Sequence, residues 1–148
     1  MMKDLPLSKV YQLLEPGPVV FLTTCQKGHI NVMTMSWHMM VEFEPPVVAC
    51  VVRNANLSFI ALRATRECVI SIPAAEMAET VVKVGNCSGR DIDKFAAFSL
   101  AQTKAECVSA PLVAQSFANL ECKVIDTRLV NKFSLFVLEV VKAWVDPA

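Results

Sequence analysis

The side chains best suited to hold a ligand lie between residues 31 and 37, which read Asn-Val-Met-Thr-Met-Ser-Trp. If this segment is a β-strand, its period of two places Thr34 and Ser36 on one face, with Met35 and Trp37 on the other. Hydroxyls ~6 to 7 Å apart on a rigid strand can bind a phosphate or a ring edge. The Met and Trp side chains would then pack in a core or against a second subunit. Taken alone, however, the pattern favours an ordinary strand whose threonine faces water.

A second group of polar residues, Arg53, Asn54 and Ser58, lies where an apolar run gives way to a helical pattern. Such a junction brings backbone N–H groups and the positive end of a helix dipole together, and arginine adds a bidentate donor for phosphate. The group therefore predicts an anion site. A capped helix with a solvated arginine is the competing interpretation.

A third group begins with Ser88-Gly89-Arg90-Asp91. This segment has the form of a capping box with aspartate at the position of the usual Glu or Gln, and it predicts a helix that continues through Phe98. Arg90 and Lys94, four residues apart, would share one face of that helix. Asp91 and Asp93 could pair with them, as on most exposed helices, so charge alone leaves the role of the segment open.

No established pattern of catalytic or metal-binding residues occurs elsewhere. The two histidines, His29 and His38, are not at ligand spacing, and the chain contains neither His-Glu-x-x-His nor Gly-x-Ser-x-Gly, a P-loop or a Rossmann glycine motif. These absences argue against a hydrolase or a kinase. They fit a protein in which a cofactor performs redox chemistry.

The composition is apolar, with 54% hydrophobic residues and a mean hydropathy of +0.45. The longest apolar runs, such as 47–52, are far shorter than the ~18 to 20 residues of a membrane-spanning helix. We therefore expect no membrane association, and a dimer interface is the simplest place to bury the excess.

The charge balance, the N-terminus and the cysteines indicate which partners and which cell compartment to expect. The 14 basic and 14 acidic residues balance, and no basic stripe is interleaved with aromatics, which argues against a nucleic-acid partner. The N-terminus has no apolar stretch of signal-peptide length, which predicts a cytoplasmic location. Six cysteines without a Cys-x-x-Cys pair indicate reduced, mostly buried thiols.

The elements that must position these groups follow from periodicity and turn residues. We predict helices over 8–15, 54–65 and 74–84 and from the Ser88 cap to Phe98, and strands over 19–24, 29–37, 39–43, 47–52, 68–72, 119–126 and 133–145. This order favours one mainly antiparallel β-barrel domain with peripheral helices over a doubly wound parallel sheet.

Two sequence motifs occur in the same order as in a known protein family. Asn-x-Met-Thr-x-Ser-Trp starts at Asn31, and Ser-Gly-Arg-Asp-x-Asp-Lys-Phe starts at Ser88; Pro-Pro-Val-Val-Ala from Pro45 and Leu-Phe-Val-Leu-Glu-Val-Val from Leu135 match as well. The chain resembles the flavin reductase-like proteins, particularly their flavoredoxin-like branch. The resemblance spans nearly the whole sequence.

That resemblance implies an antiparallel Greek-key FMN-binding split β-barrel that works as a homodimer, with FMN near the subunit interface. Electrons would come from NAD(P)H or a redox protein, and no side chain need act as a catalytic acid or base. By similarity, the cofactor-binding residues fall into three sets: Asn31, Thr34, Met35, Ser36 and Trp37 along the flavin; Arg53, Asn54 and Ser58 at the phosphate or ribityl oxygens; and Ser88 and Lys94 closing the site.

The sequence departs from its relatives at two places. Relatives often carry a Gly-Asp-His turn before the last strand, where this chain has Val130-Asn131-Lys132, and Leu138 stands where a glycine is common. Two alternatives to an FMN oxidoreductase therefore remain. One is a flavin-binding module without turnover, and the other is a barrel that has lost its cofactor.

Overall fold

A computed structural model describes residues 17–146. The helix predicted over 8–15 lies outside these described residues. The structure is built on a seven-stranded antiparallel sheet in the order β2-β1-β5-β8-β9-β4-β3. Its strands are β1 (Val20–Gln26), β2 (His29–Met35), β3 (His38–Glu42), β4 (Val47–Val51), β5 (Glu67–Ile72), β8 (Ala118–Asp126) and β9 (Leu135–Val145).

The remaining elements are short. A separate two-stranded sheet pairs β6 (Gln102–Thr103) with β7 (Leu112–Val113), which the sequence did not predict. The helices are α1 (Leu57–Thr65), α2 (Ala78–Gly85), α3 (Lys94–Ala97) and α4 (Val130–Phe133), and a 3-10 turn over Ala75–Met77 precedes α2. None of the helices between residues 17 and 146 is long and apolar enough to cross a membrane.

Strand β1 is buried on both faces because the sheet has an apolar layer on each side of it. Val20 and Leu22 point into the main core, which also holds Phe136 and Leu138 from β9. Phe21 faces the opposite way, into a second core formed with α2 and α3. Burial on both faces explains the continuous rather than alternating apolar pattern of this strand.

The strand predicted over 29–37 is interrupted in the structure. It ends at Met35, and β3 begins at His38. Since β2 and β3 lie at opposite ends of the strand order, residues 36 and 37 must carry the chain from one edge to the other. The His38 N–H donates to the Ser36 carbonyl at 3.1 Å, and the Val51 N–H donates to the Trp37 carbonyl at 3.0 Å. Trp37 remains 44% exposed instead of entering the core.

The helix predicted from Ser88 to Phe98 was wrong in extent and in its cap. Only Lys94–Ala97 is helical, and its N-cap is Asp93, which accepts from the Ala96 N–H at 3.2 Å. The Ser88 hydroxyl instead accepts from the Arg90 N–H at 3.1 Å, closing a tight turn. Arg90 and Lys94 therefore do not share a helix face: Arg90 is exposed and Lys94 is buried.

Other boundaries agree more closely. The predicted strand over 47–52 ends one residue earlier in the structure, and those over 68–72 and 119–126 each begin one residue earlier. The helix over 54–65 starts only at Leu57, after Asn56 as N-cap. The last strand begins at Leu135, because the expected turn at Asn131-Lys132 is the helical turn α4.

A buried carboxylate anchors the loop between β6 and β7. Glu121 is fully buried, and its carboxylate accepts from the Glu106 N–H at 3.0 Å, the Cys107 N–H at 2.5 Å and Trp144 Nε1 at 2.8 Å. Burial by itself raises the pKa of Glu121, but these hydrogen bonds to the charged form outweigh it and hold the pKa below its usual value.

We expect Glu121→Gln to lower the free energy of unfolding by ~2 kcal/mol near neutral pH, because charge-assisted hydrogen bonds are lost. Since the folded pKa is lowered, the contribution of Glu121 is fully present above the usual pKa of 4.5 and is lost as the pH falls through the folded value. Denaturant unfolding from pH 7 to 3 should therefore show the two proteins converging in acid. Glu79→Gln, at an exposed carboxylate paired with Lys83, is the matched control, and a gap that persists unchanged in acid would contradict this account.

Candidate functional site

Two adjoining pockets follow β2 on the side where α1 begins. The first has a volume of about 240 Å³ and includes Lys94, and the second, of about 190 Å³, includes Trp37; we call them the lysine pocket and the tryptophan pocket. Met33, Thr34 and Asn56 line both. The pockets therefore form one groove along the strand.

Nine of the ten cofactor-binding residues predicted from the sequence line this groove. Those in the lysine pocket are Asn31, Thr34, Ser58, Ser88 and Lys94, and those in the tryptophan pocket are Thr34, Met35, Ser36, Trp37 and Arg53. Asn54, in the turn before α1, lines neither pocket. The fold thus brings together three segments that are far apart in the sequence.

Lys94 is a buried cation at the wall of the lysine pocket. Its side chain is 5% exposed, and its Nζ donates to the Val84 carbonyl at 3.0 Å, near the end of α2. Within residues 17–146 no carboxylate forms an ion pair with it. Burial lowers the pKa of Lys94, and the nearby Cys87 opposes that shift weakly. An ammonium has three donors, so Lys94 retains hydrogen-bonding capacity for a group in the pocket.

Asn31 ties three segments of the site together. Its Nδ2 donates to the Ser58 hydroxyl at 3.0 Å, and both residues are buried. Its Oδ1 lies against Gly89 so closely that a Cβ at position 89 would come within 2.0 Å of it. One amide therefore fixes β2, the first turn of α1 and the 86–93 loop relative to one another.

Thr34 holds α2 against β2. Its hydroxyl donates to the Val81 carbonyl at 2.7 Å, and a Cβ at Gly85 would meet Thr34 Cβ at 3.3 Å. The donor face expected from the sequence is therefore partly used within the protein. The Thr34 oxygen retains only its acceptor capacity toward a ligand.

The tryptophan pocket is more apolar and more open than the lysine pocket. Met35 is 3% exposed and belongs to the main core, and Met33 packs against the same core. Arg53 follows β4, is exposed, and lines this pocket together with Trp37. The pocket thus offers an apolar base, an aromatic side chain and a cationic rim.

Sequence reasoning missed several lining residues. They are Met33, Val51, Asn56, Leu57, Val84, Gly85, Cys87, Gly89 and Arg90. Gly89 and Arg90 belong to a motif that the sequence had already singled out, and Asn56 was a candidate cap, so their signals were available. The positions of Gly85 and Cys87 depend on the packing of α2 across β2, for which no local signal exists.

The family follows from comparison with known proteins. The profile described as "Flavin reductase like domain" matches residues 13–148. The chain belongs to this family. Its match to YddH of Escherichia coli (strain K12), an uncharacterized protein, is 32% identical over 139 residues and covers 91% of this chain and 74% of that protein.

Solved structures show the same fold. Flavoredoxin of Desulfovibrio vulgaris (Miyazaki F) is 26% identical with a TM-score of 0.82, over 89% of this chain and 71% of that chain. An FMN-binding domain of a flavin reductases-like enzyme from Shewanella baltica OS155 is 28% identical with a TM-score of 0.83, over 96% and 75% of the two chains. The sheet described above is therefore the antiparallel split barrel of flavin reductase-like proteins.

The Asn31–Gly89 contact yields a direct test. We expect Gly89→Ala to lower the free energy of unfolding by ~1 to 3 kcal/mol, since the new Cβ displaces the Asn31 amide from Ser58. Gly17→Ala is the control, because a Cβ there meets nothing within 4 Å. In an Asn31→Ala background the cost of Gly89→Ala should largely disappear in thermal and denaturant unfolding. Equal costs in both backgrounds would show that the amide is not the obstacle.

Proposed function

We propose that this chain is an FMN-binding flavoprotein that passes electrons from NAD(P)H or a redox protein through FMN bound in the groove along β2. The single observation that carries the proposal is Lys94, a buried ammonium with no carboxylate partner in residues 17–146, at the wall of a polar pocket. Family membership supports the flavin. The names of the two similar structures, a flavoredoxin and an FMN-binding domain, favour FMN.

The lysine pocket suits the phosphate of FMN. The first turn of α1 lines it through Asn56, Leu57 and Ser58. The Asn56 side chain makes no capping hydrogen bond, so N–H groups of that turn stay available to an anion at the positive end of the helix dipole. Lys94 adds a full positive charge, and Ser88 adds a hydroxyl. These residues would hold the phosphate and lower ribityl oxygens.

The tryptophan pocket suits the ring system. Met33, Met35 and Trp37 offer apolar and aromatic surface, and Arg53 provides positive charge at the rim. When bound, FMN supplies hydride and single-electron chemistry. The protein would position the ring, shield one side of it and favour negative charge near it, without an acid or base of its own.

A second copy of the chain is the expected partner at this rim. Strand β3 is a sheet edge, and next to Trp37 it exposes Met39 to 63%, Met40 to 54% and Val41 to 54%, followed by Phe43 at 89%. An unpaired apolar edge of this kind is normally covered. We propose that the chain forms a homodimer in the cytoplasm. That compartment also keeps the free cysteines reduced.

The proposal is tested by titrating the purified protein with FMN and then adding NADH and NADPH separately under anaerobic conditions. Saturable binding of one FMN per chain, followed by bleaching of the flavin band, is the expected result and names the donor. Tight binding without bleaching by either nucleotide would leave two alternatives: a flavoprotein reduced by a protein partner, or a flavin-binding module without turnover. Adding a reduced redox protein distinguishes them, because only the first would then be bleached. No binding would overturn the proposal and indicate a barrel without cofactor.

Lys94→Met separates binding from folding. We expect it to weaken FMN affinity by ~10- to 100-fold while raising the melting temperature of the apoprotein, because a penalised buried charge is removed. Lys83→Met, at an exposed lysine of α2, should change neither quantity.

The pH dependence follows from the same group. Since the pKa of Lys94 is lowered in the folded protein, apoprotein stability should rise, and FMN affinity should fall, as the pH increases through that value. Calorimetric titrations and thermal unfolding between pH 7 and 10 measure both. If FMN affinity were unchanged in Lys94→Met, the proposed contact between Lys94 and FMN would be wrong.

A further inference from the structure

Three buried cysteines belong to the main core. Cys50 in β4 is 1% exposed, and Cys68 in β5 and Cys122 in β8 are 0% exposed. All three are free thiols, and none lines the groove along β2. Within residues 17–146, no group of His, Cys, Asp or Glu side chains is arranged to hold a metal ion. The flavin proposal therefore gives these thiols no role.

Two of the three cysteines lie directly opposite one another in the sheet. Cys68 and Cys122 are partners in the antiparallel pair of β5 and β8, so their side chains point to the same face. Opposite residues in such a pair have Cα atoms ~4.5 to 5.5 Å apart, and a disulfide requires ~4.4 to 6.8 Å. Cys50 has no such position, because β4 is adjacent to neither strand. The backbone therefore already holds Cys68 and Cys122 at the spacing of a disulfide.

The two opposite thiols also interact with one another. The Cys122 thiol donates to the Leu120 carbonyl at 3.5 Å. A hydrogen bond between the Cys68 and Cys122 thiols, together with burial, raises the pKa of Cys68 well above its usual value. Burial likewise raises the pKa of Cys50 to about 12. Because the thiolate is the reactive form of cysteine, the pair stays reduced in the resting protein and reacts only slowly.

We propose that Cys68 and Cys122 are a modification site, at which a small uncharged peroxide converts the two opposite thiols into a disulfide. One thiol loses its proton and its sulfur attacks a peroxide oxygen, which breaks the O–O bond and gives a sulfenic acid and one water. The second sulfur then attacks the sulfenic sulfur, forming the S–S bond and releasing a second water. Two electrons thus pass from the sulfurs to the peroxide. The oxidant must be small and uncharged because the core around the pair is closely packed.

The disulfide would cross-link the middle of the seven-stranded sheet. Strands β5 and β8 are neighbours there, with β2 and β1 beyond β5, and β9, β4 and β3 beyond β8. Residues from both parts line the groove, such as Thr34 in β2 and Val51 in β4. Closing the chain between residues 68 and 122 also restricts the unfolded state. Oxidation would therefore stabilise the fold that carries the groove, whether or not the groove binds a flavin.

The experiment exposes the purified protein to excess hydrogen peroxide for hours, alkylates the remaining thiols and digests the protein without reduction. Mass spectrometry should then find the peptides of Cys68 and Cys122 joined. The melting temperature should rise by roughly 5 to 10 °C, and dithiothreitol should reverse both changes. Reversal by dithiothreitol separates the disulfide from methionine sulfoxide, which requires a dedicated reductase.

Variants of the buried cysteines identify the pair. Cys68→Ala and Cys122→Ala should each lose the reversible rise in melting temperature, measured against the same variant before oxidation. Cys50→Ala is the matched control, since it removes a buried thiol outside the pair, and it should keep both the linkage and the rise. Glutathione disulfide, which is charged and large, should modify the exposed Cys107 and leave the pair reduced.

Three outcomes would overturn the inference. One is oxidation of Cys107 in the wild type without a Cys68–Cys122 linkage, and another is a linkage that includes Cys50. The third is a reversible rise in melting temperature that persists in Cys122→Ala. The peptide map of the wild type decides the first two, so the test holds even if a core variant fails to fold.

Discussion

The contact between Asn31 and Gly89 is the constraint on which the rest of the groove depends. The Asn31 amide lies directly on the glycine and donates to Ser58, so the 86–93 loop must cross β2 at this point. That crossing places Gly89 and Arg90 at the wall of the lysine pocket. The loop then leads into α3, which has Asp93 as its N-cap and Lys94 as its first residue. A single close approach thereby orders both sides of the site.

Lys94 is a buried charge whose electrostatic cost is not offset by a carboxylate within residues 17–146. A buried ammonium with one protein acceptor and no anionic partner in residues 17–146 carries a desolvation cost. A bound phosphate would offset that cost in the holoprotein, since opposite charge favours the ammonium. The fully buried Glu121 is the contrasting case, because backbone N–H groups and Trp144 satisfy its charge within the protein. One buried charge is structural, and the other is left open toward a pocket.

Leu138 and Lys132, the two positions at which the sequence differs from the pattern expected by resemblance, lie away from the groove. Leu138 is fully buried in the main core beside Phe136, where its side chain fills space that a glycine would leave empty. Lys132 lies in α4 with its Nζ 5.2 Å from the centre of the Phe133 ring, and it lines none of the pockets described above. Leu138 thus belongs to the core packing and Lys132 to one surface turn, and neither lines the groove.

The sequence by itself determined the strands around 47–52, 68–72 and 119–126 to within a residue, because β-branched runs bounded by turn residues are local signals. Nine of the ten residues that it assigned to the cofactor also line the groove. Only the tertiary structure decided that residues 88–93 are not helical and that the chain crosses between sheet edges at 36–37. Both features are imposed by contacts with residues distant in sequence, such as Asn31 on Gly89 and Trp37 on Val51. Periodicity and capping patterns report neighbours three or four residues apart, whereas packing between distant segments fixes the backbone at these two places.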